Sequence, residues 1–144
     1  DALAAAHNST PWTTVWPWNS STGFGTKYAN PGTLAGSSAY GISFSPNGTS
    51  IVAGFASTPF VGAWSWSSSA GFGTRFSDPG TLPPDQVNSV AFSADGTAVA
   101  LGINTTSPYI TAYPWNDTNG FGSKYANPGT LPAGSGNGIA FSPN

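Results

Sequence analysis

Short runs of apolar and aromatic residues alternate along the chain with clusters of Gly, Pro, Asn and Ser. Such runs, bounded by turn-forming residues, predict β-strands rather than helices. One kind of run recurs at Gly41–Phe44, Ser89–Phe92 and Gly138–Phe141. The first two of these runs lead into Asn-Gly or Asp-Gly, which are strong hairpin signals. We therefore predict that each run is the first strand of a β-hairpin.

Three further strands are predicted to accompany each of these runs. The second strand, which completes the hairpin, is predicted at Ser50–Phe55, Ala98–Ile103 and Leu3–His7. The third strand is predicted at Phe60–Trp66, Tyr109–Trp115 and Trp12–Trp18. The fourth strand is the Gly-Phe-Gly-Thr or Gly-Phe-Gly-Ser region, which Asn-Pro-Gly or Asp-Pro-Gly closes because proline and glycine end a strand.

This four-strand unit is repeated along the chain. The segment Gly23–Leu34 recurs as Gly71–Leu82 and as Gly120–Leu131, so successive copies are offset by 48 and 49 residues. We divide the chain, a single repeat domain, into copies 1–47, 48–95 and 96–144. Tandem four-stranded units of about 40–50 residues are typical of β-propeller blades. The predicted fold class is all-β, a β-propeller with three four-stranded blade repeats in the chain.

The hairpin turns carry a family resemblance. Phe44–Thr49 and Phe92–Thr97 resemble the Phe-Ser-Pro-Asp-Gly turn of WD40-like propeller repeats. The longer unit from Ala112 to Pro132 is similar to tandem propeller repeats of phage-like and environmental sequences. The Gly-His and Trp-Asp dipeptides of WD40 blades do not occur in the chain. The resemblance implies a scaffold with no particular reaction, and an extracellular or virion-associated location is slightly favoured.

The predicted strands at residues 3–7 and 138–141 each lack a neighbour within their own copy. We expect them to pair with each other as the two halves of one hairpin and so to close one blade. Propellers typically have about 4–8 blades, so three blades are too few for a ring. The expected partner is a second copy of the chain, which gives a homodimer with a six-bladed ring and C2 symmetry. The alternatives are a segment of a longer repeat array and an assembly such as a filament.

The amino-acid composition excludes several classes of function and of structural site. The chain has three basic residues and five acidic ones, all Asp, so it has no dense basic patch for phosphates and no nucleic-acid partner is expected. It has no cysteine, which excludes a disulfide framework and a thiolate metal site. No apolar run approaches the roughly 20 residues of a membrane span. The aromatic content, 14%, argues for a packed protein rather than a disordered one.

No catalytic, metal or cofactor site is predicted. His7 is the only histidine, and its repeat equivalents Phe55 and Ile103 are apolar, so we expect it to be a packing residue. Asp78 and Asp95 occupy slots that hold Asn in the other copies, and we expect them to hydrogen-bond their own turns. The repeat shows neither a pair of carboxylates nor an activated nucleophile. We therefore predict that the chain is not an enzyme.

The three cations, Lys27, Arg75 and Lys124, occupy one slot of the repeat, and each precedes an aromatic residue. One hypothesis is that they form a circle of positive charge that binds an anion or an acidic sugar. The alternative is a solvated strand position whose charge keeps a sheet edge from pairing with the wrong strand.

Tryptophans also repeat, in the third predicted strand. Trp18, Trp66 and Trp115 each follow another aromatic residue by two positions, which places both rings on one face of the sheet. One interpretation is packing between neighbouring blades. The other is an exposed stacking platform for a sugar ring, which would make the protein a multivalent lectin. Our leading hypothesis is a non-enzymatic, self-assembling structural or binding scaffold, and the alternative is a carbohydrate-binding lectin.

Overall fold

The computed structural model describes residues 1–143, and its strands lie close to the predicted ones. The strands, in order, are β1 (Ala2–Ala6), β2 (Thr13–Asn19), β3 (Gly23–Phe24), β4 (Ala39–Phe44), β5 (Ser50–Phe55), β6 (Val61–Ser67), β7 (Gly71–Arg75), β8 (Val87–Phe92), β9 (Ala98–Ile103), β10 (Ile110–Asn116) and β11 (Gly120–Phe121). Residues 1–143 contain no helix, so the all-β fold class is confirmed. Asn144, the last residue of the predicted third copy, lies outside the described residues.

The strands form three antiparallel sheets. Sheet I has the order β1-β2-β3, sheet II has the order β4-β5-β6-β7, and sheet III has the order β8-β9-β10-β11. Within each sheet, strands that are consecutive in the chain thus pair with each other, and within residues 1–143 no strand pairing joins one sheet to the next. Because β4 lies in copy 1–47 and β5 in copy 48–95, sheet II crosses a boundary between sequence copies. Sheets II and III are therefore each built from parts of two consecutive copies, whereas sheet I lies within copy 1–47.

A serine organises the turn between the first two strands of sheets II and III. Ser45 Oγ accepts the Ser50 backbone N–H at 3.0 Å and donates to the turn asparagine at 2.7 Å. Ser93 repeats the arrangement in sheet III, where its Oγ donates to the turn aspartate at 2.6 Å. Gly48 and Gly96 have φ of 69° and 72°, left-handed values that glycine adopts at little cost. The Asn-Gly and Asp-Gly turns therefore close these two hairpins as predicted.

The hydrophobic core lies between neighbouring sheets. Ile51, Ala53 and Phe55 of β5 pack in a cluster shared with sheet I, whereas Val52 packs in a cluster shared with sheet III. Every residue of β5 is buried. Sheet II is covered on both faces, which explains why its second strand is apolar at nearly every position. Sheets I and III each have one face that no other sheet of residues 1–143 covers.

Glycines allow sheets II and III to approach closely. A Cβ atom on Gly41 would lie 2.7 Å from the Ser89 Cα atom, closer than real Cβ atoms come. A Cβ atom on Gly54 would lie 2.8 Å from the Val87 carbonyl oxygen. The backbone of β4 therefore lies directly against the backbone of β8, and the missing side chains set the spacing there.

Gly138–Phe141, which is expected to pair with Leu3–His7 of a second copy, joins no sheet within residues 1–143, and that pairing stays a prediction. Two sequence predictions need correction. The third strands begin one residue later than predicted, because Trp12, Phe60 and Tyr109 have φ of 66°, 65° and 63° and belong to the preceding proline turn. The fourth strand has five residues in sheet II but only two in sheets I and III.

Candidate functional site

The repeated cations bind their own loops. Lys27 Nζ and Lys124 Nζ donate to the asparagine side chain three residues later, at 2.7 and 2.6 Å. Arg75 forms an ion pair with Asp78 at 2.5 Å. Each of these partners precedes a Pro-Gly turn, so the cation holds the loop that follows the fourth strand. Each cation lies in, or just after, the last strand of a different sheet, and anion binding by the three stays a prediction.

Two of the three repeated tryptophans are packing centres between sheets. Trp66 and Trp115 each lie against three aromatic rings, one from the loop after the preceding sheet and two from their own sheet. The rings are Tyr28, Phe44 and Phe72 around Trp66, and Phe76, Phe92 and Phe121 around Trp115. All six contacts are edge-to-face, the arrangement that ring quadrupoles favour. Trp66 is 7% exposed and Trp115 is 6% exposed, so neither has an open face for a sugar ring.

Trp18 occupies the same slot in sheet I but has only one of the three rings. Among residues 1–143, its aromatic partner is Phe24, with ring centroids 5.1 Å apart. Trp18 is 36% exposed and Phe24 is 60% exposed. Together with Leu3, Trp16 and Gly23 they form an uncovered surface, which we call the Trp18 face. Carbohydrate stacking, if it uses the repeated tryptophans, is therefore a prediction for Trp18 alone.

A glycine beside each tryptophan shows what has been left uncovered in sheet I. Gly23, Gly71 and Gly120 share one slot and have φ of 78°, 85° and 79°. A Cβ atom on Gly71 would lie 3.2 Å from the Tyr28 ring, and one on Gly120 would lie 3.0 Å from the Phe76 side chain. At Gly23, no atom of residues 1–143 lies within 4 Å of that point. At Gly71 and Gly120, an aromatic side chain from the preceding sheet therefore packs directly on the glycine.

The outer edge of β1 is also unpaired within residues 1–143. The equivalent strands β5 and β9 pair on that side with β4 and β8, the first strands of their sheets. By contrast, β1 pairs only with β2. The backbone N–H and C=O groups along Ala2–Ala6 therefore form an open edge, which is a template for another strand.

The chain after sheet III carries the matching parts. Gly136 donates its N–H to the Ile103 carbonyl at 2.7 Å, as Ala39 does to the His7 carbonyl at 3.0 Å. Because Ala39 begins β4, Gly136 lies where the first strand of a further sheet would begin. The residues that follow, Gly138–Phe141, are mostly exposed.

The uncovered face of sheet III presents side chains that are covered in the other copies. Tyr125 is 48% exposed and Phe141 is 40% exposed, whereas their equivalents in the first two copies are buried or half-buried. Pro128 is exposed, although its two equivalents are buried. An open cavity of about 230 Å³ lies beside Tyr125 and Pro128 and is lined by Ile110 and Ala112 of β10. We call Tyr125, Pro128, Ile110 and Ala112 the Tyr125 face.

Four of the five aspartate side chains are hydrogen-bonded in loops or between sheets. Asp117 accepts hydrogen bonds from Asn47 Nδ2 at 2.6 Å and from Ser50 Oγ at 2.7 Å, which joins sheet III to sheet II. Partial burial alone would raise the pKa of Asp117, but these bonds and one from an indole N–H hold the pKa below its ordinary value. Hydrogen bonds, first among them one from Thr105, also lower the pKa of Asp85.

The single histidine is half-buried beside sheet I. His7 Nε2 lies 2.9 Å from Thr14 Oγ1, within hydrogen-bonding distance. Across residues 1–143, no group of three or more His, Cys, Asp and Glu side chains is arranged to hold a metal ion. The same residues form no helix with the length and apolar character to cross a lipid bilayer.

Sequence reasoning identified the aromatic residue that follows each cation but did not predict its packing role. Tyr28, Phe76 and Tyr125 are in one repeat slot, and the first two cover the glycine and tryptophan of the next sheet. The available signal was the recurrence of this aromatic residue together with an invariant glycine in the following copy. Its meaning depended on knowing which sheets pack face to face.

Comparison of the chain with models of known protein families gives no match. Comparison with curated proteins gives no match either.

Proposed function

We propose that the chain is a non-enzymatic β-propeller scaffold in which sheets I, II and III are consecutive blades and a second copy completes a six-bladed ring. One observation carries the proposal. Sheet I has three strands where sheets II and III have four, and the absent strand has a counterpart in Gly138–Phe141. That segment repeats the sequence pattern of β4 and β8 and joins no sheet within residues 1–143.

The repeat specifies the register of the exchanged strand. In sheet II, Phe44 of the first strand lies opposite Ile51 of the second. Transferring this pairing by the repeat offsets places Phe141 of one copy opposite Leu3 of the other. Phe141 then reaches Trp18, just as Phe44 reaches its own tryptophan at a centroid distance of 5.3 Å. The exchanged strand would thus supply hydrogen bonds to β1 and one of the two rings absent around Trp18.

Complementary faces favour a second copy as the partner. The Trp18 face is apolar and has only one of the three rings that surround the equivalent tryptophans, whereas the Tyr125 face presents an aromatic ring that packs on no glycine or tryptophan within residues 1–143. Because one type of face fits the other, the contact is head to tail and either closes into a ring or continues as a filament. Two copies contribute six sheets, which lies within the range of about 4–8 blades in propeller rings.

The ionisable side chains support a structural role. Asp95 and Asp85 accept hydrogen bonds within and beside their own loops, Asp78 pairs with Arg75, and Asp117 joins two sheets. A carboxylate held in this way is poorly placed to exchange protons with a substrate. We therefore assign these groups to the scaffold rather than to a reaction.

Mass in solution tests the ring. Sedimentation velocity or native mass spectrometry is expected to show a dimer of the 14.6 kDa chain. In sheet II, Ser45 and Ser50 form a hydrogen-bonded pair, and hydrogen-bonded and non-hydrogen-bonded pairs alternate along the two strands. Transferred by the repeat offsets, this alternation places Ala140 at a hydrogen-bonded position opposite Ala4 of the partner copy. Ala140→Pro removes that N–H and is expected to weaken dimerisation by at least about tenfold.

The matched control is Ala133→Pro, in the exposed loop before the exchanged segment. It makes the same chemical change where no pairing is proposed, so it should retain the wild-type mass. A wild-type chain that is monomeric at every concentration, or a dimer insensitive to Ala140→Pro, would contradict the strand exchange. Mass that grows without limit as concentration rises would contradict a closed ring.

A further inference from the structure

We infer that the Tyr125 side chain of one copy packs on Gly23 and Trp18 of the next copy and donates its hydroxyl to the Ser20 carbonyl there. The inference rests on the proposed ring, but it concerns a contact that is separate from the exchanged strand. It identifies the side chain that joins the faces and the surface that receives it.

The joint between sheets I and II shows this contact complete. The Tyr28 ring lies edge-to-face on Trp66 with centroids 5.0 Å apart. Its hydroxyl donates to the Ser68 carbonyl oxygen at 2.6 Å. Its ring carbons lie 3.2 and 3.4 Å from the point where a Cβ atom would stand on Gly71. Because Gly71 has a left-handed φ of 85°, another residue there would be strained and would also press on the ring.

The joint between sheets II and III repeats the contact without the hydroxyl. Phe76 takes the place of the tyrosine and lies 5.2 Å from Trp115, again edge-to-face. Its side chain lies 3.0–3.2 Å from the corresponding Cβ point on Gly120. Ring packing on glycine and tryptophan is therefore the shared part of the joint, and the hydrogen bond is an addition where the residue is tyrosine.

The uncovered faces hold the two halves of a third such joint. By the repeat offsets, Tyr125 corresponds to Tyr28 and Phe76, and it is 48% exposed. Gly23, Trp18 and Ser20 correspond to the residues that receive the ring in sheet II, and the space over Gly23 is open within residues 1–143. One chain therefore carries both the aromatic side chain and its receiving surface, at opposite ends of the row of sheets, which identifies a second copy as the occupant.

Photo-crosslinking from position 125 tests the contact directly. p-Benzoylphenylalanine replaces Tyr125, and isotope-labelled and unlabelled chains are mixed, irradiated, digested and analysed by mass spectrometry. The expected product links position 125 to the peptide containing residues 16–25 of a differently labelled chain. Crosslinks confined to one chain, or to a different region of the second chain, would overturn the inference.

Substitutions measure what the contact contributes. Tyr125→Ala is expected to weaken association at least about thirtyfold, as truncation of a central aromatic residue does at other interfaces. Tyr125→Phe keeps the ring and is expected to weaken association by about tenfold or less. Tyr40→Ala changes a tyrosine that is 51% exposed and lies outside both faces, and it should have no effect. Equal losses for Tyr125→Phe and Tyr125→Ala, or no loss for either, would overturn the inference.

The strand exchange and the Tyr125 contact fail in different ways. A dimer that survives Tyr125→Ala but not Ala140→Pro would support the strand exchange and contradict the Tyr125 contact. The opposite result would support the Tyr125 contact and contradict the strand exchange. A wild-type chain that stays monomeric would contradict both proposals. Circular dichroism of each variant shows whether the sheets are retained, so that lost association is not confused with lost folding.

Discussion

At the residue scale, equivalent side chains of the repeat differ in exposure because their surroundings differ. Trp18, Trp66 and Trp115 occupy the same position of the repeat, but only Trp66 and Trp115 have a complete set of aromatic neighbours. Sequence equivalence predicts which contacts a side chain can make. It does not predict which of those contacts are made, because that depends on whether another sheet lies alongside.

The turn residue Asp95 gives a pH prediction at this scale. Hydrogen bonds from the Ser93 hydroxyl, and then from the backbone N–H and hydroxyl of Thr97, hold the pKa of the Asp95 carboxyl below its ordinary value of 3.8. A lowered pKa in the folded chain means that the stabilisation is present above about pH 4. It is lost as the pH falls through the folded-state value.

Asp95→Asn separates this effect from the rest of acid unfolding. Asn47 forms the equivalent turn in sheet II, so the variant should fold normally. We expect wild type to exceed the variant in free energy of unfolding at pH 7, measured by urea titration, and the difference to shrink at about pH 2.5. A difference that is the same at both pH values would mean that the carboxylate charge is irrelevant to the turn.

At the element scale, the hairpins were predictable and the proline turns were not. The Asn-Gly and Asp-Gly dipeptides have a strong local preference that the sheets do not override, and so β4, β5, β8 and β9 lie within two residues of prediction. The turn before each third strand places Trp12, Phe60 and Tyr109 at left-handed φ, which bulky residues rarely adopt. The strand propensity of these aromatic residues therefore predicted that they begin the third strands, whereas in the structure they belong to the preceding turns.

Close packing of β4 on β8 gives a prediction for glycine. Gly41→Ala would place a methyl group against the Ser89 backbone, which cannot move as a flexible side chain can. We expect a loss of about 1–3 kcal/mol in the free energy of unfolding, as for other overpacked sites. The measurement is urea denaturation followed by tryptophan fluorescence.

Gly36→Ala is the matched control for this substitution. Within residues 1–143, nothing lies within 4 Å of the Cβ position at Gly36, and its φ is not left-handed. The control should therefore be neutral or slightly stabilising. Equal losses in the two variants would show that backbone freedom, and not the spacing between sheets, is what glycine provides at position 41.

At the scale of the whole molecule, the all-β class and the three four-strand repeats followed from the sequence, whereas the nature of the candidate site did not. The 48- and 49-residue offsets placed the strands, and apolar runs bounded by turn residues indicated that they are strands rather than helices. The cations and tryptophans looked like ligand-binding groups because they recur. In the structure, Lys27, Arg75 and Lys124 hold loops, and Trp66 and Trp115 are buried between sheets. Such roles arise from tertiary packing that periodicity alone does not specify.

The proposed dimerisation would make the thermal stability of the protein depend on its concentration. If the Trp18 and Tyr125 faces cover each other, dilution removes their contribution and the unfolding midpoint falls. We expect a change of roughly 2–5 °C for each tenfold change in protein concentration, measured by calorimetry. Ala140→Pro should show a smaller dependence. A wild-type midpoint that is independent of concentration would argue that the two faces stay apart.

The glycine at positions 23, 71 and 120 has one more consequence. Gly71 and Gly120 each receive an aromatic side chain from the preceding sheet. If Gly23 receives one from a second copy as proposed, a joint inside one polypeptide and a joint between two polypeptides would be interchangeable. Gene duplication or loss of a single repeat would then alter how many chains are needed for closure without requiring any new interface to evolve. The geometry of the joint, and not the length of the gene, would determine the circumference.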